Sequence, residues 1–87
     1  METVYTVLLF ASLKDAVAAD RITVRVSSSA PLTVAELLAH CGQQYPALAP
    51  WLPHVKVAVN CAYADARQQV AAGDEIALLP PVAGGDP

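Results

Sequence analysis

Only one segment of this 87-residue chain carries a complete helical stripe. After Thr33, the residues Val34, Leu37, Leu38, Cys41 and Tyr45 recur at intervals of three and four, which aligns them on one helix face. Thr33-Val34-Ala35-Glu36 has capping-box spacing, and Leu32 and Leu37 take the two positions of a hydrophobic staple. Pro46 ends the run, because its ring pushes the residue before it toward extended geometry. The spacing predicts a helix over 33–45 that buries Val34, Leu37, Leu38 and Cys41. The other apolar residues fall in short β-type runs, so one helix must serve a whole sheet.

Val4 to Ala11 is β-branched and apolar and reads as a strand buried on part of both faces. Ser12 to Ala18 predicts a short helix, with Ser12 as its cap and Asp15 in its first turn. Ile22 to Val26 alternates and predicts a strand with one wet face, and residues 27–31 are a loop. In the proline-rich connector from Pro46 to Pro53, Trp51 and Leu52 are expected to plug the end of the core. Val55 to Asn60 alternates again, and Asn60 suits a turn because it tolerates left-handed geometry. Cys61 to Val70 is weakly patterned and predicts one short edge strand. Ala72-Gly73-Asp74 is a turn, and Glu75 to Leu79 is the last strand.

This order predicts an α+β fold with a mixed sheet of four to five strands and one main helix packed on one face. The domain is expected to span residues 1–79, with an extended tail at 80–87. One helix leaves the other face of the sheet bare. The first and last strands are apolar on both faces, so that bare face is expected to bind a protein partner, together with the tail.

Composition removes several function classes. A chain this short buries about 60–65% of its unfolded surface, enough for one modest core. It is 55% hydrophobic, yet no apolar run approaches the roughly 20 residues a membrane helix needs. Met1-Glu2-Thr3 has no basic stretch and leads straight into a strand, so no secretory signal is expected. A formal charge of −3 with only five Lys and Arg argues against nucleic acid. Cys41 and Cys61 form no Cys-x-x-Cys unit and suggest no disulfide framework, so a cytoplasmic location is expected.

No side chain looks catalytic. His40, Cys41, His54 and Cys61 match no zinc spacing, and Cys41 lies on the core stripe, so no metal site is expected. Cys61 beside Asn60 has neither a base nor an electropositive setting. Asp74 and Glu75 are adjacent, and neighbouring strand residues point to opposite faces. Gly84 and Gly85 precede no helix and make no phosphate loop. If the chain takes part in chemistry, the reactive group is its backbone terminus.

The ending supports that idea. Pro80 and Pro81 stiffen the base of the tail, because each fixes φ and lacks an N–H donor. Gly84 and Gly85 remove side-chain obstacles near its tip. Such a segment suits a narrow cleft on another protein. The run 73–85, Gly-Asp-Glu-Ile-Ala-Leu-Leu-Pro-Pro-Val-Ala-Gly-Gly, resembles the MoaD/ThiS sulfur-carrier family, in particular the small subunits of molybdopterin synthase. The likeness also takes in residues 7–11 with Leu13 and Lys14, the helix start 33–37, and Ala58-Val59-Asn60. It implies a ubiquitin-like β-grasp fold, in agreement with the element order.

The resemblance further implies a sulfur carrier for molybdenum cofactor biosynthesis that holds no cofactor and is not catalytic alone. An activating enzyme would use ATP to adenylate the carboxylate of the terminal glycine, which maps onto Gly85. Sulfur would replace the adenylate as a thiocarboxylate. Pro80, Pro81, Val82, Ala83 and Gly84 would enter the cleft of the large synthase subunit, where the sulfur is given up. The chain departs from the pattern in one respect: Asp86 and Pro87 leave Gly85 in an amide bond, which cannot be adenylated. The alternatives are trimming by a processing peptidase, a paralogue without the sulfur chemistry, or recruitment of Asp86. Other readings are a non-catalytic interaction module, a ubiquitin-like modifier joined through Gly85, or a carrier for thiazole or another sulfur metabolite.

Overall fold

A computed structural model describes residues 2–27 and 31–80 of the chain. The elements are β1 (Thr3–Leu9), α1 (Ser12–Val17), β2 (Arg21–Val26), β3 (Leu32–Thr33), α2 (Val34–Gln44), β4 (Lys56–Val59), β5 (Ala62–Ala64), β6 (Gln69–Val70) and β7 (Ile76–Leu79), with short 3-10 turns at Pro46–Leu48 and Leu52–His54. Five strands form one mixed sheet in the order β2-β1-β7-β4-β5. β1 pairs antiparallel with β2 and parallel with β7, and β4 pairs antiparallel with both β7 and β5. This is the expected β-grasp arrangement.

The strands are ordered by their period-two pattern. Tyr5, Val7 and Leu9 of β1, Ile22, Val24 and Val26 of β2, Val57 and Val59 of β4, and Ile76 and Leu78 of β7 are all buried. They meet Val34, Leu37 and Cys41 of α2 in a single core. The capping box is formed: the Thr33 N–H donates to Glu36 Oε1 at 2.9 Å, and the Glu36 N–H donates to Thr33 Oγ1 at 3.2 Å. Both staple leucines, Leu32 and Leu37, are buried.

The structure corrects several local expectations. Leu38 is only half-buried, because it sits at the edge of the stripe and lines a hollow of about 470 Å³ with Leu52, Val55, Lys56 and Tyr63. Trp51 and Leu52 do pack against the core, as half-buried residues, and Leu48 on the preceding turn is fully buried beside them. Ser12 is the first residue of α1, not its cap; Ala11 holds that position with no side-chain hydrogen bond. Residues 61–70 hold two short strands where one was expected. β5 extends the main sheet, and β6 pairs with β3 in a small second ladder. That segment is held by backbone bonds: the Val34 and Ala35 N–H groups at the start of α2 donate to the carbonyls of Gln68 and Ala66 at 2.8 and 3.0 Å. These are N–H groups that a helix cannot satisfy within itself.

The β2 edge of the sheet is closed by the end of α2. The Gln44 side chain both accepts from the Arg25 N–H (3.1 Å) and donates to the Arg25 carbonyl (2.7 Å). The Tyr45 hydroxyl donates to the Thr23 carbonyl at 3.0 Å. Three outward backbone groups of an edge strand are thereby withheld from other chains.

Candidate functional site

Among the described residues, no helix covers the face of the sheet away from α2. That face presents the alternate residues of the same strands: Val4, Thr6 and Leu8 of β1, Arg21, Thr23 and Arg25 of β2, Ala77 and Leu79 of β7, Lys56 and Ala58 of β4, and Tyr63 of β5. Two rows run across it. Arg21 pairs with Leu8, Leu8 with Ala77, Ala77 with Ala58, and Ala58 with Tyr63. Toward the tail, Leu79 pairs with Lys56, and Phe10 follows Leu9, the partner of Leu78. Val4, Phe10 and Tyr63 are 42%, 45% and 75% exposed, the large apolar or aromatic side chains most open to solvent among the described residues. Leu8, Phe10, Ala58 and Ala77 line a shallow hollow of about 150 Å³, bounded by Cys61 and Glu75. Lys56 Nζ lies 6.0 Å from the centre of the Tyr63 ring, at the outer limit of a cation–π contact. A bare face is present as expected; it is apolar around Leu8, Phe10, Ala58, Ala77 and Leu79, while β2 adds Arg21, Thr23 and Arg25.

β7 occupies the centre of this sheet, paired with β1 on one side and β4 on the other. Leu79 and Pro80 at its end are half-buried, so the segment that follows departs from the most constrained strand of the fold. Among the predicted site residues, Pro80 stands at that exit. Pro81, Val82, Ala83, Gly84 and Gly85 lie outside the described residues.

The start of β7 is fixed by a small polar network. Asn60 and Cys61 form the two-residue turn between β4 and β5, with φ of 51° and 70°. This is the geometry of a tight hairpin, and Asn takes it more readily than most residues. The Asn60 N–H donates to the Glu75 carbonyl (2.7 Å), and the Glu75 N–H donates to Asn60 Oδ1 (2.9 Å). Asn60 Nδ2 and the Ala71 N–H donate to the two oxygens of Asp74. The Ala71 N–H first, and the Asn60 amide second, hold the Asp74 carboxyl below its ordinary pKa. The residue pattern placed Asn60 and Asp74 in turns but did not show that the two turns meet.

The thiols do not form a reaction centre. Burial pushes the Cys41 thiol up to about 12, so it stays protonated and unreactive. Cys61 is exposed, with its Sγ 3.8 Å from Glu75 Oε1. Among the described residues, no three His, Cys, Asp or Glu side chains are grouped to hold a metal, and no helix is long and apolar enough to cross a membrane.

The model of the ThiS family matches residues 7–85, nearly the whole chain. The chain belongs to the ThiS family of ubiquitin-like, MoaD/ThiS-type sulfur carriers. Solved structures agree on the fold. The crystal structure of SAMP1 from Haloferax volcanii is 33% identical, with a TM-score of 0.75, and the match covers 94% of this chain and 99% of that one. The putative molybdopterin converting factor subunit 1 from Pyrococcus furiosus is 19% identical over 92% and 99% of the two chains, also with a TM-score of 0.75. A complex of subunits 1 and 2 of molybdopterin-converting factor from Helicobacter pylori matches at 24% identity over 94% and 99%, with a TM-score of 0.62. Among the curated proteins compared with the chain, none matches.

Proposed function

We propose that this chain is the sulfur carrier of molybdenum cofactor biosynthesis, loaded as a thiocarboxylate on Gly85 once Asp86 and Pro87 have been removed. The observation that carries this reading is that the central strand β7 leads into Pro80, the first residue of the Pro-Pro-Val-Ala-Gly-Gly sequence, beside a bare face with an apolar centre. A partner that receives the tail contacts this face at the same time. Pre-ordering of the root by β1 and β4 lowers the entropy lost when the tail is threaded. Pro80 and Pro81 lower it further by restricting the free chain.

The chemistry is acyl activation. The Gly85 carboxylate attacks the α-phosphorus of ATP in an activating enzyme, and pyrophosphate leaves. Hydrosulfide then adds to the acyl carbon, AMP leaves and the S–H proton is lost, which yields the thiocarboxylate. This chain supplies only the carboxylate and an unobstructed backbone. ATP belongs to the activating enzyme, and the large synthase subunit is the acceptor. A residue with a side chain at 84 or 85 would narrow the passage that two glycines leave open.

The test is a loading assay on two lengths. The chain ending at Gly85 is expected to gain sulfur, read by intact mass, and the chain with Asp86 and Pro87 is expected to remain unloaded until it is cut. Sulfur loading of the uncut chain would remove the terminal-carboxylate mechanism.

A second reading is favoured by one observation. The solved structures at 33% and 32% identity are both small archaeal modifier protein 1, above the identity of the converting-factor structures. In that reading Gly85 forms an amide with a lysine of another protein. Conjugates of higher mass in cells expressing the trimmed chain, absent when Gly85 is deleted, would favour it.

A further inference from the structure

Three of the five basic side chains gather at the end of the sheet from which the tail departs. Arg21 begins β2 opposite Leu8, and Lys56 begins β4 opposite Leu79. Lys14 of α1 lines a hollow of about 290 Å³ together with Arg21, Leu8 and Phe10. One carboxylate lines the same hollow: Asp20, 3.9 Å from Arg21 Nε. Phe10 and Leu79 lie between the cations. β2 and β4 are three strand spacings apart, about 14 Å across the sheet, and Lys56 stands one row nearer the tail than Arg21, so the two flank the apolar root from either side. The opposite end of the same face is different. There Arg25 is paired with Glu2 at 3.4 Å, and Glu75 precedes β7. A chain of net charge −3 thus has a polarised face, cationic where the tail leaves.

We propose that Lys14, Arg21 and Lys56 form a cationic collar around Phe10 and Leu79, and that the collar selects partners whose tail-receiving cleft has a carboxylate-lined mouth. This rests on the reading that the tail enters a partner. Chain length decides what the collar meets. From Pro80 to Gly85 is five residues, at most roughly 18 Å of extended chain. In a partner that holds the tail extended, a group reacting at Gly85 is beyond the reach of collar side chains, so the anion they meet is on the partner's entrance surface. When Phe10 and Leu79 exclude water from that contact, the surrounding charges act in a lower dielectric and act more strongly. A basic entrance is rejected by like-charge repulsion, which gives discrimination among clefts that all accept two glycines.

The experiment measures association of the chain ending at Gly85 with the activating enzyme and with the large synthase subunit of the same organism, at low and at near-physiological salt. The variants are Lys14→Glu/Arg21→Glu/Lys56→Glu, the milder Lys14→Gln/Arg21→Gln/Lys56→Gln, and Arg67→Glu as a charge control between β5 and β6. Far-ultraviolet circular dichroism checks that each is folded. The reversed collar is expected to slow association at least roughly tenfold at low salt and to flatten its salt dependence. The neutral collar is expected to fall between it and the parent, and Arg67→Glu to stay within roughly twofold. Salt-independent association of the parent, or equal losses in Arg67→Glu and the reversed collar, would overturn the collar while leaving tail insertion intact. A parent chain that binds neither protein would overturn the tail-insertion reading and the collar with it.

Discussion

Asn60 Nδ2 donates to Asp74 Oδ1 at 3.2 Å, joining the β4–β5 turn to the loop that launches β7. The two residues are 14 apart in sequence, and between them they fix where the tail-bearing strand begins. Asn60 also holds a positive φ of 51°. Two costs can therefore be separated by substitution. Asn60→Gly keeps the backbone freedom and loses the side-chain bonds, which should cost about 1–2 kcal/mol. Asn60→Ala loses the bonds and places a Cβ in the left-handed region, adding about 1 kcal/mol. Chemical denaturation should rank them parent, Asn60→Gly, Asn60→Ala. Equal stabilities for the two variants would show that the backbone there carries no strain.

The same network predicts a pH dependence. The folded-state pKa of Asp74 is lowered from an ordinary value of 3.8 by the Ala71 N–H and the Asn60 amide. A depressed folded pKa gives stability that is present above the unfolded pKa and is lost as pH falls through the folded one. The parent should lose this contribution below about pH 4, and Asp74→Asn should remove it from the pH profile. The measurement is the denaturant midpoint of both proteins from pH 7 down to pH 2. Parallel profiles would mean that Asp74 titrates alike in both states.

How far the sequence reads through to this structure depends on what carries each element. Strands β1, β2, β4 and β7 follow from alternation, because one face of each meets α2. α2 follows from its own cap and stripe, both local signals. The short strands β3 and β6 do not, because two-residue ladders are held by backbone bonds to the helix start and need no side-chain pattern. Leu38 misled for a different reason: it lies at the margin of the stripe, and spacing alone does not say where the opposing layer stops. The bare face was legible by subtraction, since one helix cannot cover both faces of five strands. Its polarity was not, because pairing across β2, β1, β7 and β4 brings Arg21 and Lys56 to the same end only in the fold.

Leu37 and Leu38 give a direct test of that margin. Leu37 is fully buried and Leu38 half-buried, at adjacent positions of one helix. Leu37→Ala should cost about 2–5 kcal/mol, the range for a buried leucine that leaves a cavity. Leu38→Ala should cost about 1 kcal/mol, since part of its surface already meets solvent. Denaturation of the two variants side by side checks the ordering, and a larger loss at Leu38 would reverse the helix register described here.

Ala11 has φ 52° and ψ −126°, a conformation that a residue with a Cβ seldom adopts. It turns the chain from β1 into α1 beside the exposed Phe10. Strain at such positions is on the order of 1–3 kcal/mol, and glycine relieves it. Glycine also raises the entropy of the unfolded chain by about 0.4–1 kcal/mol. The difference favours the variant, so Ala11→Gly should raise stability by about 1 kcal/mol, read as a higher denaturant midpoint at unchanged slope. A loss of stability would show that the turn is relaxed with alanine in place.

The last prediction concerns the tip of the tail. If Gly85 supplies the reacting carboxylate, the enzyme that activates it must bring a bare backbone to within bonding distance of the α-phosphorus of ATP. A Cβ at residue 85 restricts φ and occupies the wall of a passage fitted to glycine. A displacement of about 1 Å at a reacting centre can cost on the order of 100-fold in rate. In the chain ending at residue 85, Gly85→Ala should therefore lower the rate of adenylation by roughly 10- to 100-fold, with affinity for the activating enzyme changed much less, because the sheet face and tail root are untouched. Phe10→Ala in the same chain should do the reverse, weakening affinity while sparing the rate at saturation, because Phe10 stands on the open face some five residues of tail away from the chemistry. Pyrophosphate release measured against carrier concentration separates the two effects. A loss of affinity without a loss of rate in Gly85→Ala would place the chemistry somewhere other than the end of this tail.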